Sequence, residues 1–553
     1  MPSIARDDFI AFARSSHAST PLLAIPVAVR LIADHLTPVV AYRRLVAHDH
    51  REAPSFLLES VEGGERQGRY SILSANPIAE VLAHANNINV NHLDASMPHA
   101  QCLDAVFSSN SPANNTADPF HTLQSIAANF TLRQPPASQL PACFKGGWVG
   151  YAAYDSVRYS NLEKLPFTSA PRDDRNLPDL HFGFYSGVVV FDNVDKTVSV
   201  IELAFVETQT NDINAASASA YDAALARIRA RIDLLEKHTE PLHVGAMPQP
   251  KPVAPLPSNM TRDEHAQIVA KAKKYIAAGD IFQVVVGQRF ERQSPVDPFD
   301  VYRALRCVNP SPYMVYLQSR GCILVASSPE ILCRVRKSDN HFVVTNRPLA
   351  GTRRRGKSPE EDARLERELL ADAKERAEHI MLVDLGRNDV GIVAQPGSIN
   401  LPSVMEVERY SHVMHISSTV TGTLRDNLTC WDALRAALPV GTISGAPKLR
   451  AMQIIDELEP IRRGPYGGGL GCVGLGGEMD IALTLRTIVA PLALAKNLTP
   501  NGATQWTYHL QAAGGIVADS VTEDEYMETV NKAAALARAI EVAESAFSRG
   551  TDM

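Results

Sequence analysis

Two acidic pairs, far apart along the chain, restrict its fold more than any other feature. The first lies in Glu375-Arg-Ala-Glu-His-Ile-Met-Leu-Val-Asp-Leu-Gly-Arg-Asn-Asp389. A charged segment of helical period leads into it from Ser358, and Ile380, Leu382 and Val383 mark entry into a core. Gly386 reads as the helix stop. Glu375 and Glu378 share one helical face, where like charges repel by roughly a few tenths of a kcal/mol. Alone, such a pair is an ordinary solvated face. The second pair changes that reading. In Asp519-Ser-Val-Thr-Glu-Asp-Glu-Tyr-Met-Glu-Thr-Val-Asn-Lys532, Thr522 and Glu525 spell a capping box, and Glu525, Glu528 and Lys532 form one stripe. Four facing carboxylates beside apolar residues cannot all stay ionised and dry without a cation. Mg²⁺ suits them: it takes oxygen ligands and typically uses one or two carboxylates plus substrate oxygens.

The chain has 553 residues, enough for three or four units at roughly 150 residues each, or for one large two-part domain. A net charge of -7 argues against a nucleic-acid or membrane surface. No apolar run approaches the ~20 residues of a membrane span. The first residues, Met1 to Asp8, carry acids and no apolar core, so no signal or transit peptide is expected. Seven scattered cysteines without a CxxC fit a reducing cytoplasm.

In chain order, residues 21–60 read as strands and a helix, and the polar residues 85–120 as a loop. Glycines between aromatics from Phe144 to Asp155 suit a buried strand. His181 to Leu203 alternates as a hairpin turning near Asn193–Lys196, and a helix follows over 215–237. Five prolines then stiffen residues 246–258. This linker separates an N-terminal part, 1–245, from a C-terminal part, 259–553. Beyond it, Thr261 and Glu264 cap a helix and residues 280–290 form a buried strand. The Gly-rich loop Gly441–Lys448 enters a helix with Pro447 at its first position. A hairpin opens at Tyr466 with Arg486 on its return strand, and the last strand spans 512–517. Hairpins mixed with helices, without regular βαβ alternation, predict α+β architecture: large antiparallel sheets flanked by helices.

Several side chains suit work on a small anion. The Gly441–Lys448 loop offers backbone N–H groups, although its spacing is not that of a P-loop. Arg486 and Lys532 can each pair a carboxylate. Glu330 follows Pro329 in an apolar setting that would raise its pKa for general-acid work. His415 alternates with apolar residues on a strand. No GxSxG, HExxH or GxGxxG motif is present at a fitting junction. The residues alone therefore point to a Mg²⁺ enzyme acting on a small anion with more than one carboxylate.

The sequence resembles the chorismate-utilising enzymes, and among them the large subunits (component I) of the anthranilate synthases. The resemblance rests on Leu57-Leu-Glu-Ser60, Gly279-Asp-Ile-Phe-Gln283, Asn309-Pro-Ser-Pro-Tyr-Met314, Ser328-Pro-Glu330, Arg347-Pro-Leu-Ala-Gly-Thr352 and the segment Glu378 to Asp389. It continues in Tyr410-Ser-His-Val-Met-His415, Ser444-Gly-Ala-Pro-Lys448, Arg463-Gly-Pro-Tyr-Gly467 and Gly514-Gly-Ile-Val-Ala-Asp-Ser520. It implies Mg²⁺ held by Glu378 and Glu528, with Glu375 and Glu525 helping through water. It implies chorismate bound by Tyr466, Arg486, Gly514, Gly515 and Lys532, and catalysis by Glu330, His415 and Thr442. Ammonia would add to the ring, and elimination would give anthranilate and pyruvate. Sister enzymes that activate water carry a lysine where Gln283 stands, and aminodeoxychorismate synthases carry one where Ala350 stands; neither amine is present. The resemblance further implies feedback inhibition by tryptophan, bound by Glu59 and Ser60 against Asn309, Pro310, Pro312, Tyr313 and Met314. It also implies a separate glutaminase subunit supplying ammonia, since no glutaminase nucleophile motif is visible. An aminodeoxychorismate synthase and a non-catalytic regulatory or assembly subunit are the alternatives.

Overall fold

The computed structural model describes the chain except residues 17, 47–50, 52, 63–65, 94–99, 110–117, 137–139, 238–241, 250–253, 411–412, 498–503 and 548–553. The architecture is α+β. Among the described residues, a thirteen-stranded and an eleven-stranded sheet carry nearly all the strands. Pairing is antiparallel except where Leu22–Ala24 runs parallel to Phe130–Leu132. The sheets share a core in which Phe56, Val315 and Leu324 of one meet Val149, Tyr151 and Leu470 of the other. Helices cover the outer faces: Ile213–Glu236 packs on the larger sheet, and Cys430–Ala437 on the smaller. No helix among the described residues is long and apolar enough to cross a membrane.

Both sheets run across the proline-rich linker. In the larger, Ser55–Glu59 pairs with Tyr313–Ser319; in the smaller, Gly147–Ala152 pairs with Gly469–Gly474. Residues 1–245 and 259–553 thus contribute adjoining blocks to shared sheets, each strand completing hydrogen bonds that its neighbour would otherwise leave open.

Nine elements carry the site: β1 (Gln283–Ser294), α1 (Pro298–Val308), β2 (Tyr313–Ser319), β3 (Cys322–Ser328), β4 (Leu349–Arg354), α2 (Ala373–Val393), β5 (Val413–Thr423), β6 (Thr504–Ile516) and α3 (Thr522–Phe547). Several expectations are corrected here. Residues 85–120 are not simply a loop, since they hold the strand Asn87–His92 and the helix Ala100–Ser109. The expected hairpin from His181 switches sheets at Ser186, and only Gly187–Asp192 and Thr197–Glu207 pair across the 193–196 turn. Gly386 does not end a helix. The break falls at Asp372, whose carboxylate accepts from the N–H groups of Lys374 and Glu375, and α2 runs through Gly386 to Val393. A Cβ at Gly386 would stand 2.7 Å from Asn346 Oδ1, so the glycine serves close packing on the sheet. Pro447 precedes its helix rather than opening it. Thr522 is the first residue of α3, and Glu525 bonds Ser520. His412 lies outside the described residues.

Candidate active site

Glu330 and Arg486 both stand where the chain crosses between sheets. After β3, residues 329–330 carry it to the strand Ile331–Ser338; after Met479–Leu483, residues 484–486 carry it back to Thr487–Pro491. Arg486 is therefore not on the return strand of the hairpin; it sits in the left-handed region at φ 46°. Such a conformation persists only where its surroundings hold it, and here the guanidinium reaches His415 on β5. Arg486 is half-buried, and desolvation lowers its pKa. Its hydrogen bond goes to His415 Nε2 at 3.4 Å, and among the described residues no carboxylate lies within ion-pair distance.

Glu330 is 3% exposed. Burial pushes its carboxyl up to about 8, opposed by hydrogen bonds from Thr442 and Leu349 and by the charge of Arg486. Thr442 Oγ1 donates to Oε1 at 3.2 Å. At neutral pH Glu330 thus keeps its proton. His415, on β5, is pushed down to about 4 by burial and then by Arg486. Its Nδ1 lies 3.0 Å from the Gly351 carbonyl, which only accepts, so Nδ1 carries the proton and Nε2 is left as the acceptor. Thr352 Oγ1 sits 3.0 Å from the same Nδ1. Thr352 lies in a stretch marked by the resemblance, but its link to His415 depends on the β4–β5 register and has no sequence signal.

The two acidic pairs lie near enough for their charges to interact. Burial raises the pKa of Glu378, and the nearby charges of Glu375 and Glu528 add to this. Burial likewise raises that of Glu525, with Glu528 contributing. Between the pairs lie β1 and β6, with Val286 opposite Gly514 and Val285 opposite Gly515. A Cβ on Gly515 would come within 2.5 Å of Gln283 Nε2, and one on Gly514 would crowd Glu525 Oε2 at 3.2 Å. As neighbours on one strand the two glycines face opposite ways, Gly514 toward Glu525 and Glu528 and Gly515 toward Gln283, and both faces stay bare at this point. Gln283 Nε2 donates to Glu378 at 3.4 Å, leaving Gln283 Oε1 buried without a partner; Glu525 Oε2 is also unpartnered. Glu375 is held by Arg353 at 3.1 Å. Lys532 donates to the Ala513 carbonyl at 2.9 Å and pairs with exposed Glu528 at 2.6 Å. Buried Tyr466 stands near Glu528 and bonds the Ala513 backbone. Among the described residues, no three carboxylate, imidazole or thiol groups converge closely enough to form a metal cage alone.

The chorismate binding enzyme family matches residues 54–538. The chain belongs to the chorismate-binding enzymes. It is 52% identical to anthranilate synthase alpha subunit 1, chloroplastic, of Oryza sativa subsp. japonica over 534 residues, covering 95% of this chain and 89% of that one. It is 41% identical to anthranilate synthase component 1 of Acetivibrio thermocellus, covering 94% and 96% of the two chains. The crystal structure of anthranilate synthase component I from Streptococcus pneumoniae TIGR4 superposes with a TM-score of 0.65 at 32% identity, covering 92% of this chain and 99% of that one. Within this chorismate-binding enzyme, the crossing points and the carboxylate pairs form one polar region shared by both sheets.

A second region lies at the larger sheet's seam. Glu59 is opposite Met314 across Ser55–Glu59 and β2, and Asn309 closes α1 beside them. Glu59 accepts from Tyr302 at 2.7 Å and from Arg306 at 3.0 Å. Tyr313 donates to Asp480 at 2.7 Å. Ser60 packs tightly on Gly68.

Proposed function

We propose that the chain converts chorismate and ammonia to anthranilate, pyruvate and water. The observation that carries this is the buried, proton-holding Glu330 close to Arg486, a half-buried cation with no carboxylate within ion-pair distance among the described residues. Arg486 and Tyr466 hold the enolpyruvyl carboxylate of the substrate. Ammonia attacks the ring, the ring hydroxyl leaves as water with the proton of Glu330, and an aminodeoxyisochorismate results. His415 Nε2 then accepts the ring proton as the C–O bond breaks, and the side chain leaves as enolpyruvate, which takes up a proton at its methylene carbon to become pyruvate. A substrate carboxylate against Arg486 offsets the positive charge that depresses the imidazole, raising its basicity at that step. Gln283 favours ammonia over water: an amide is no general base, while its unpartnered Oε1 can accept an ammonia N–H.

Glu378 and Glu528 are the residues that would hold Mg²⁺ directly, with Glu525 and Glu375 behind them. The donor set fits, since two carboxylates with substrate oxygens are a usual Mg²⁺ arrangement and Glu525 Oε2 lacks a partner. Bound there, the ion would neutralise the ring carboxylate and ease loss of the hydroxyl.

Mixing the chain with chorismate, Mg²⁺ and ammonium should release fluorescent anthranilate and equimolar pyruvate. Fluorescence only after addition of an aminodeoxychorismate lyase would assign the sister activity, and no chorismate consumption would assign a non-catalytic role. Glutamine should replace ammonium only when a glutaminase subunit is added. Tryptophan binding at Glu59, Ser60, Asn309, Pro310, Pro312, Tyr313 and Met314 would make the enzyme feedback-regulated. Because Glu59 also holds Tyr302 and Arg306, Ser60→Ala is the cleaner probe. It should weaken tryptophan inhibition about tenfold, the scale of a lost hydrogen bond, with the uninhibited rate unchanged. A fall in the uninhibited rate would mean that the two regions are one site.

A further inference from the structure

Ser311 lies inside the Asn309–Met314 turn, and its hydroxyl bonds within that turn and to the neighbouring strand. It is 1% exposed, and Ser327 and Ser328 are fully buried. Ser327 Oγ lies 2.5 Å from the Asn309 carbonyl and 3.0 Å from Ser311 Oγ. Ser311 Oγ lies 3.0 Å from the Ser328 carbonyl and 3.3 Å from that of Tyr313. On the other side, Ser328 Oγ donates to the Leu483 carbonyl at 2.5 Å and receives the Glu330 N–H at 3.4 Å. The Ser327 N–H donates to the Arg486 carbonyl at 3.1 Å, and the Leu483 N–H to that of Glu330 at 3.0 Å. Hydrogen bonds linked through the residues Ser327 and Ser328 themselves therefore join the seam to both sheet-crossing points.

The hydroxyls of Ser311 and Ser327 bring two protons to more than two acceptors. In one arrangement Ser327 donates to Asn309, leaving Ser311 to choose between Ser327 and Ser328. In the other, Ser327 donates to Ser311, which must then turn to Ser328. Movement of the Asn309 carbonyl selects between them. A choice between discrete arrangements is what coupling between distant sites requires.

We propose that Ser311, Ser327 and Ser328 form a relay, hydroxyl to hydroxyl between Ser311 and Ser327 and through the backbone of Ser327 and Ser328 beyond, by which occupancy of the Glu59–Met314 region repositions Glu330 and Arg486; this rests on the tryptophan reading above. The relay residues are positioning residues. The test measures two quantities on the full chain: inhibition of ammonium-dependent turnover by tryptophan, and direct tryptophan binding by equilibrium dialysis without chorismate. For Ser311→Ala, inhibition should weaken about tenfold or more, in the usual range of coupling between sites. The directly measured Kd should stay within threefold, as should the uninhibited rate. Parallel loss of binding and inhibition, or unchanged inhibition, would overturn the relay. If wild type neither binds tryptophan nor is inhibited by it, the tryptophan reading fails and the relay with it. If wild type is inhibited and Ser311→Ala is inhibited equally, the relay alone fails. Should Ser311→Ala not fold, Ser327→Ala breaks the same series between the same end points and is judged by the same outcomes.

Discussion

Glu330→Gln should lower turnover of chorismate with ammonium by roughly 10²- to 10⁴-fold, the range of general acid catalysis. Glutamine keeps the size and a hydrogen-bond partner for Thr442 but has no acidic proton to give. Burial pushes the wild-type carboxyl up to about 8. The protonated fraction, and with it kcat, should fall as pH rises through that value, with free ammonia held constant across the series. The residual activity of the variant should lack this alkaline limb. Stability follows with its own sign. Between the ordinary carboxyl range and about 8 the folded chain holds a proton that the unfolded chain has released, so stability falls as pH rises through that window. Glu330→Gln removes this loss, and its Tm should gain on the wild type toward pH 8 and above. A loss under tenfold, or an alkaline limb retained in the variant, would remove Glu330 from the acid role.

The placement of the acidic pairs was legible because a helix fixes which side chains share a face. Spacing of i, i+3 in two segments was enough to put Glu375 with Glu378 and Glu525 with Glu528. The strands near the site were also legible, since alternation and apolar runs depend on near neighbours in the chain. The buried strand expected over 280–290 overlaps β1, Gln283–Ser294. What could not be read depends on contacts between remote segments. Gly386 looks like a helix stop unless one knows that Asn346 lies against it. Arg486 looks like a strand residue unless one knows that the chain changes sheets beside it, because a left-handed arginine has no local signature. The polar composition of residues 85–120 suggested a loop, but pairing with Ala79–His84 makes Asn87–His92 a strand, tertiary hydrogen bonding overriding composition. The bonding of Ser311 is invisible for the same reason: its partners, Ser327 and Ser328, come from the next strand.

Glu378→Gln should move activity and stability in opposite directions. The Glu378 carboxyl is raised first by burial and then by Glu375, with Glu528 adding to it. At neutral pH, ionising it among these neighbours costs the fold stability, and the sign is fixed: a carboxyl raised in the folded state loses stability as pH climbs through its folded pKa. Glutamine is nearly isosteric and carries no charge, so the variant in EDTA should melt above the wild type at neutral pH. The margin should vanish in acid, where the wild-type carboxyl is protonated in both states. Turnover should respond the other way. Loss of partners outside the ligand shell alone commonly costs 10- to 100-fold in metal affinity, so loss of a direct ligand should cost about 100-fold or more in Mg²⁺-dependent rate. Mg²⁺ should raise the wild-type Tm by mass action and leave that of Glu378→Gln nearly unmoved. Glu528→Gln should lose the same rate with little change in EDTA stability, because its partner Lys532 is exposed and such pairs contribute little. Mg²⁺-dependent turnover that survives Glu378→Gln, or a variant that melts below the wild type in EDTA, would show that these carboxylates are fold residues rather than a cation site.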